Sequence, residues 1–401
     1  VFLSLLFPYA LSNFYRVFLA VVSTDLSRDL GIDAAGLANL QVSFLVAFAL
    51  TQFPVGFTLD RFGPRRILML GLCCAVAGSV LLGSSSQAWQ AILAMALLGA
   101  GFSPVLMTAF YLIGRNYPPA RFATVSSLLF GLGMMGDPLS GTPLTMAVNA
   151  FGWRPTMLAL GGITAVCLVC VALFIHNPPR IEHPAGATSP WAGAKEVFAL
   201  RALWPIFPLA LVIYAPIAAT RGLWISPYLS QVHHFGPDAV GISATAMGFS
   251  FAAGGLLYGP MNRLIGDAKL TVTAGTTVIV IGWLALGLLS DYSPALTLSL
   301  IVLVACLGAN VAMILTHARA FLPGHLLGLG VTIMNLCFFV GAGIGQWLSG
   351  RYVKAAELAA VAPADIYGRL FMGFGMVLLV ALVCYGFAPR EKRSAHAKMR
   401  A

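Results

Sequence analysis

Charge is what this chain has least of. Lys, Arg, Asp and Glu together make up 9% of its 401 residues, against about 25% in a water-soluble domain, and only 13 residues are acidic. Hydrophobic residues account for 59% and the mean hydropathy is +0.89. That leaves too little polar surface to cover a water-facing globule, so the bilayer must be the main solvent. The alternating ten-residue segments of a membrane β-barrel are also missing. Cysteine occurs without a pattern: Cys73, Cys74, Cys167, Cys170, Cys306, Cys337 and Cys384 all lie in apolar stretches. They offer no disulfide framework and no metal-ligand spacing, and read as small core hydrophobes. No Walker-type loop, no nucleophile with a matched base and no metal triad appears. The pair Gly131 and Gly133 sits in an apolar helix, so enzyme, cofactor and metal are not expected. No cleavable leader is visible, and Val1 suggests that a few residues precede the sequence.

Long apolar runs fill the rest. At about 20 residues per span the chain holds about twelve helices, placed near residues 3–24, 36–57, 66–84, 89–113, 123–148, 155–176, 203–230, 237–260, 269–290, 294–317, 326–350 and 366–388. The stretch 177–202 is rich in Pro, Gly and charge and reads as a linker between residues 1–176 and 203–390; residues 391–401 form a basic tail suited to anionic headgroups. The net charge of +10 hints at nucleic acid, but its placement does not. Sixteen of the 23 Lys and Arg residues fall in loops on one side, five on the other and two within spans. By the positive-inside rule both termini are cytoplasmic, in an inner (plasma) membrane.

The two halves repeat. Gly56 and Gly63 recur as Gly259 and Gly266, Leu98-Gly99 as Leu307-Gly308, and residues 136–141 (GDPLSG) as 345–350 (GQWLSG), at offsets of 203 to 209. Arg16 and Arg221 lie 205 apart. The fold class expected is therefore an all-α membrane protein of two pseudo-symmetric six-helix bundles, with any site between them near mid-membrane.

Residues 56–66, with Gly56, Asp60, Arg61, Gly63, Arg65 and Arg66, resemble the G-x-x-x-D-R-x-G-x-R-R loop of the major facilitator superfamily. In that family the loop acts as a conformational latch, and the resemblance implies the same for these six residues. The second copy carries Arg263 in place of the aspartate. Leu98 to Gly101, Arg121 to Thr124 and Gly152-Trp153-Arg154 fit the same family. The opening, Tyr15-Arg16-Val-Phe-Leu-Ala-Val, and the segment Arg221 to Leu229 look most like its organic-anion branch, the anion:cation symporters and organophosphate exchangers. That resemblance implies a small organic anion, a carboxylate or phosphate ester, carried by alternating access by a monomer.

Buried charge supports the same reading. A charge at mid-bilayer costs at least roughly 2.5–3.5 kcal/mol, and Arg16 lies nine residues before Asp25, about 13 Å deep at 1.5 Å per residue. Arg16 shares a helix face with Asn13, and Tyr15 is beside it; Arg221 shares one with Tyr214, Trp224 and Tyr228. These residues are expected to bind substrate, with Tyr111, Asn310 and Asn335 as further cavity-lining candidates. Two guanidinium groups could grip one anion bidentately. Asp137, the one carboxylate placed deep in a span, is a candidate proton carrier. It is equally suited to a helix contact, since Gly133, Asp137 and Gly141 share a face. Proton symport and anion exchange both remain open, as do export of amphipathic drugs, carriage of neutral or metal-chelate solutes, and a transport-dead sensor or scaffold.

Overall fold

The computed structural model describes residues 2–116, 125, 128–129, 131–177, 190–323 and 326–390. Among them, ten helices are long and apolar enough to cross a membrane, and the bent pair Phe2–Val17 and Leu19–Leu30 makes an eleventh. Two short helices, Gly136–Leu139 and Thr142–Phe151, occupy the place of the fifth span. This matches twelve-helix architecture. In chain order, the second span is Ala34–Phe62, the third Pro64–Ser84, the sixth Trp153–Phe174, the eighth Pro237–Ile265, the ninth Ala268–Leu288, the eleventh Leu327–Leu358 and the twelfth Pro363–Gly386. The fourth joins Ala88–Phe102 to Pro104–Asn116, and the tenth joins Pro294–Gly308 to Val311–Arg319. Most of the linker, 178–189, and the tail, 391–401, lie outside the described residues. The linker is not all polar loop, however: Pro190–Ala199 is a helix, and Gly193 lies against Leu329 of the eleventh span.

Two of the spans break beside an arginine. The first bends by 53° between Val17 and Leu19. The seventh runs as Ile206–Val212, Ala215–Ala219, a π turn at Thr220–Trp224, then Ile225–Val232. Pro216 contributes no N–H there, and π turns are frequent at functional positions. Backbone groups freed inside a bilayer need internal partners. Gln41 Nε2 of the second span donates to the Arg16 carbonyl at 2.7 Å, and Gln346 Nε2 of the eleventh donates to the Ala218 carbonyl at 3.0 Å. Each break is thus braced by a glutamine from a neighbouring helix.

Within each half, small residues let helices touch closely, as expected where lipid provides no hydrophobic drive. A Cβ on Gly136 would fall on the Ala10 carbonyl of the first span, whereas one on Gly131 meets nothing within 4 Å. Gly63 has φ 84° and packs against Asn177, a backbone region that favours glycine.

Between the halves, contacts run from the end remote from the linker down to mid-membrane. At that remote end Lys354 pairs with Asp33 at 2.7 Å, Asn149 Nδ2 donates to Asp238 at 3.1 Å, and Ala34 and Ala38 close on Gly350. Deeper in, the Thr142 N–H donates to Thr245 Oγ1 at 2.7 Å. Toward the linker, Gly131, Gly255 and Gly259 face open space, and Pro104–Asn116 and Val311–Arg319 pack within their own halves. The cleft therefore closes at one end and widens toward the other.

Two outcomes are expected. Gly136→Leu should lower thermal stability in detergent by an amount typical of overpacking, about 1–3 kcal/mol or more, while Gly131→Ala leaves it unchanged; equal behaviour of the two would remove the tight contact from this account. The second concerns acid. Hydrogen bonds from Lys354 and the Gly36 N–H hold the Asp33 carboxyl below its ordinary value of 3.8. Its contribution to closure is therefore complete above that value and disappears as pH falls through the lowered one. At this exposure the pair is worth about 0.2–1 kcal/mol. Spin-label distances across the closed end should lengthen at low pH in the parent protein, and Lys354→Met should show that opening already at neutral pH.

Candidate functional site

The cleft's deepest charged groups are the two arginines, and the protein treats them differently. Arg221, 5% exposed, leaves the π turn of the seventh span and ion-pairs with Asp137 of the fifth. Its guanidinium also lies 4.4 Å from the centre of the Phe251 ring. The pair joins the two halves directly. Around it, Val17, Ala20, Ser140, Ile225 and Met247 leave a void of about 10 Å³, room for about one water. Nothing larger fits there while the pair is closed.

Arg16 meets no carboxylate among the described residues. It is half-buried, its Nε is buried without a hydrogen-bond partner, and its guanidinium lies over two adjacent rings, 4.7 Å from the centre of Phe48 and 5.2 Å from that of Phe339. Phe48 belongs to one half and Phe339 to the other, with centroids 5.1 Å apart. Such cation–π contacts stabilise by about 0.5–2 kcal/mol, less than buried charge costs. Tyr214 continues the wall, with its ring 6.2 Å from both Phe339 and Phe251. A row of aromatic rings therefore links one arginine to the other.

The repeat explains the inequality. Position 346 in the eleventh span corresponds to Asp137 in the fifth, as Arg16 corresponds to Arg221. It carries glutamine, with its Oε1 buried and unpartnered. Arg221 thus has an acid where Arg16 has a neutral amide.

Several residues expected to face substrate are committed elsewhere. The Tyr15 hydroxyl is 2.6 Å from Ser79 Oγ and its ring stacks on Phe102, which turns it into the core of its own half. Asn13 Nδ2 donates to the carbonyls of Tyr9 and Gly133, at 3.0 and 3.2 Å, tying the first span to the fifth. Trp224 donates to Ser349 Oγ at 2.9 Å, and the Tyr228 hydroxyl donates to the Ser290 carbonyl at 2.6 Å; both are packed inside the second half. Asn310 Nδ2 reaches the Val272 carbonyl and Thr276 Oγ1, at 3.1 and 2.8 Å. In every case a polar group in an apolar interior has taken the nearest partner on a neighbouring helix. Of the three aromatics placed on the face of Arg221, Tyr214 lies in the wall, joined by Phe48, Phe251 and Phe339, while Trp224 and Tyr228 do not. Asn335 stays half-buried one turn before Phe339, and Tyr111 is half-buried in the fourth span. The shared grip by two free arginines is also corrected, because Asp137 occupies Arg221.

The side chains of Gly56, Asp60 and Arg61 in the expected latch lie outside the described residues. Arg65 works within its own half: its N–H donates to Asn177 Oδ1 at 3.0 Å and its guanidinium to the Ala172 carbonyl at 2.5 Å. Arg66 is exposed. His317, near the inner end of the tenth span, is fully buried, with Nδ1 2.7 Å from the Tyr385 hydroxyl and Nε2 3.1 Å from the Pro389 carbonyl. Phe48 and Phe339 were missed. The available signal was Gln41 and Phe48, seven residues apart and so on one helix face.

Removing one partner of a buried ion pair leaves an uncompensated charge and costs about 3–5 kcal/mol, whereas replacing both is often neutral. Asp137→Asn alone should therefore lower the melting temperature well below that of the Asp137→Asn/Arg221→Gln double variant. Additive losses in that cycle would show that the pair is not coupled.

Known proteins agree with this architecture. Monocarboxylate transporter 11 of Homo sapiens is 28% identical over 234 residues, covering 58% of this chain, which spans only 44% of that relative. A multidrug resistance protein B homolog of Mycobacterium tuberculosis is 23% identical, with 87% of this chain and 77% of the relative covered. A solved bacterial homolog of the human lysosomal transporter Spinster, in an inward-facing and unoccupied conformation, superposes with a TM-score of 0.76 at 17% identity, covering 96% of each chain. That likeness concerns the fold. The pattern of the Major Facilitator Superfamily matches residues 2–224, more than half of the chain, and the chain belongs to that family.

Proposed function

We propose that the protein is a secondary transporter that moves a small organic anion across the inner membrane by alternating access, as a monomer with both termini in the cytoplasm. One observation carries the reading: Arg16 is a guanidinium that meets no carboxylate among the described residues, placed deep in the cleft and walled by rings from both halves. An uncompensated cation in low dielectric favours a negative guest, and a guanidinium suits the planar fork of a carboxylate or phosphate.

Asp137 gives the second step a physical basis. Held on Arg221, it neutralises that arginine and bridges the halves in the empty protein. An arriving anion that also reaches Arg221 competes with Asp137 and loosens the bridge. The displaced carboxylate then either takes a proton, which makes the cycle a symport, or returns to Arg221 when a second anion departs, which makes it an exchange. A cationic solute is disfavoured, because Asp137 is already engaged.

Proteoliposome uptake across a panel of mono- and dicarboxylates and phosphate esters, with and without a pH gradient, tests this. Arg16→Ala should abolish uptake while the protein still elutes as a folded monomer, and Arg16→Lys should retain part of it. Unchanged uptake in Arg16→Ala would remove the anion reading. Retained counterflow with loss of pH-driven accumulation in the Asp137→Asn/Arg221→Gln variant would assign the proton to Asp137.

A further inference from the structure

The second and eleventh spans touch at the remote end, where Ala38 meets Gly350, and part toward the linker. Between them lies a crevice of about 560 Å³ with no polar surface in its lining, within the range of small-molecule pockets, about 300–1,000 Å³. Its floor is buried and includes Leu45, Phe339 and Gly343; its rims, Val46, Leu50, Ile344 and Trp347 among them, are exposed. In a membrane-spanning protein those rims meet lipid chains.

Behind the floor stands Arg16. Phe339 lines the crevice on one face and carries the Arg16 guanidinium over its ring; Phe48 closes against it at 5.1 Å. A wholly apolar trough open to the bilayer thus has the Phe339 ring between it and a cation that meets no carboxylate among the described residues, with the Phe48 ring packed beside. The charge and the apolar surface are complementary to one kind of molecule, an anionic head on a single apolar tail.

We propose that this crevice takes the tail of a single-chain amphipathic carboxylate held in the bilayer, with its head turned inward to Arg16 past the Phe48–Phe339 pair. The proposal rests on the anion reading above and narrows it, making the substrate one that enters sideways from the membrane. Rotation of the two rings is the only gate this path requires. An annular lipid, by contrast, would use the trough without regard to Arg16.

Chain-length dependence alone decides nothing, because the bilayer itself takes up the tails of acids and alcohols alike. The test uses a photoreactive diazirine at the tail end of decanoate, added to the full chain in nanodiscs, with crosslinks located by mass spectrometry. Crosslinks are expected on the crevice residues, reduced at least about tenfold by excess decanoate but not by decanol, and lost in Gly343→Phe. A Cβ at Gly343 meets nothing closer than Leu45 at 4.0 Å, so that side chain can fill the trough. Leu50→Trp at the rim serves if Gly343→Phe fails to fold. In Arg16→Ala, decanoate and decanol should compete equally. Crosslinks outside the crevice, equal competition by decanol in the parent protein, or full labelling of Gly343→Phe would each overturn the proposal. Acetate and butyrate uptake separates the two readings: intact short-chain uptake in Gly343→Phe with lost tail labelling supports the crevice, while absence of uptake of every carboxylate and phosphate ester in the parent protein removes the anion reading itself.

Discussion

The arrangement of this cleft depends on the cost of charge in a medium that does not solvate it. Few ionisable groups are placed within the spans, and each must be neutralised by the protein or by a guest. Arg221 is neutralised by Asp137 across the boundary between the halves, so the electrostatic solution for one residue is also a mechanical joint between two domains. Arg16 has aromatic faces and no acid among the described residues. The same repeat, with aspartate at one copy of a position and glutamine at the other, makes one arginine structural and leaves its counterpart available.

Backbone satisfaction follows the same rule. A bend or a π turn exposes carbonyls that water cannot reach, and Gln41 and Gln346 answer at the two breaks. These glutamines keep the first and seventh spans distorted at the level of the arginines, which in turn aims both side chains into the cleft. Helix distortion, amide donors and buried cations form one arrangement.

Much of the fold was legible in sequence, because its determinants are local and repeated. Span length follows from bilayer thickness, and duplicated glycines revealed the two halves. The sites of the arginines were legible for the same reason, since a charge in an apolar run has few explanations. What could not be read was which way each polar side chain turns. Tyr15, Trp224 and Tyr228 share a face or a turn with an arginine, yet their hydroxyl and indole groups find partners on helices distant in sequence. That choice is made by tertiary packing, and helical periodicity carries no information about it. The Asp137–Arg221 pair was hidden similarly: the two residues were visible separately, and only the meeting of the fifth and seventh spans joined them.

The mismatch between Asp137 and Gln346 has an electrical consequence. With Arg221 cancelled, the moving core of the empty carrier holds one surplus positive charge at Arg16, and a bound monoanion brings that core to neutrality. In the exchange branch of the proposed cycle Asp137 stays ionised and the loaded step is spared a transmembrane voltage; in the symport branch the proton on Asp137 leaves the loaded core with one positive charge, and the voltage acts on it. Each 100 mV weights a fully translocated charge by about 2.3 kcal/mol, so a single amide in place of an acid sets the charge of the loaded core on which the cell's potential acts.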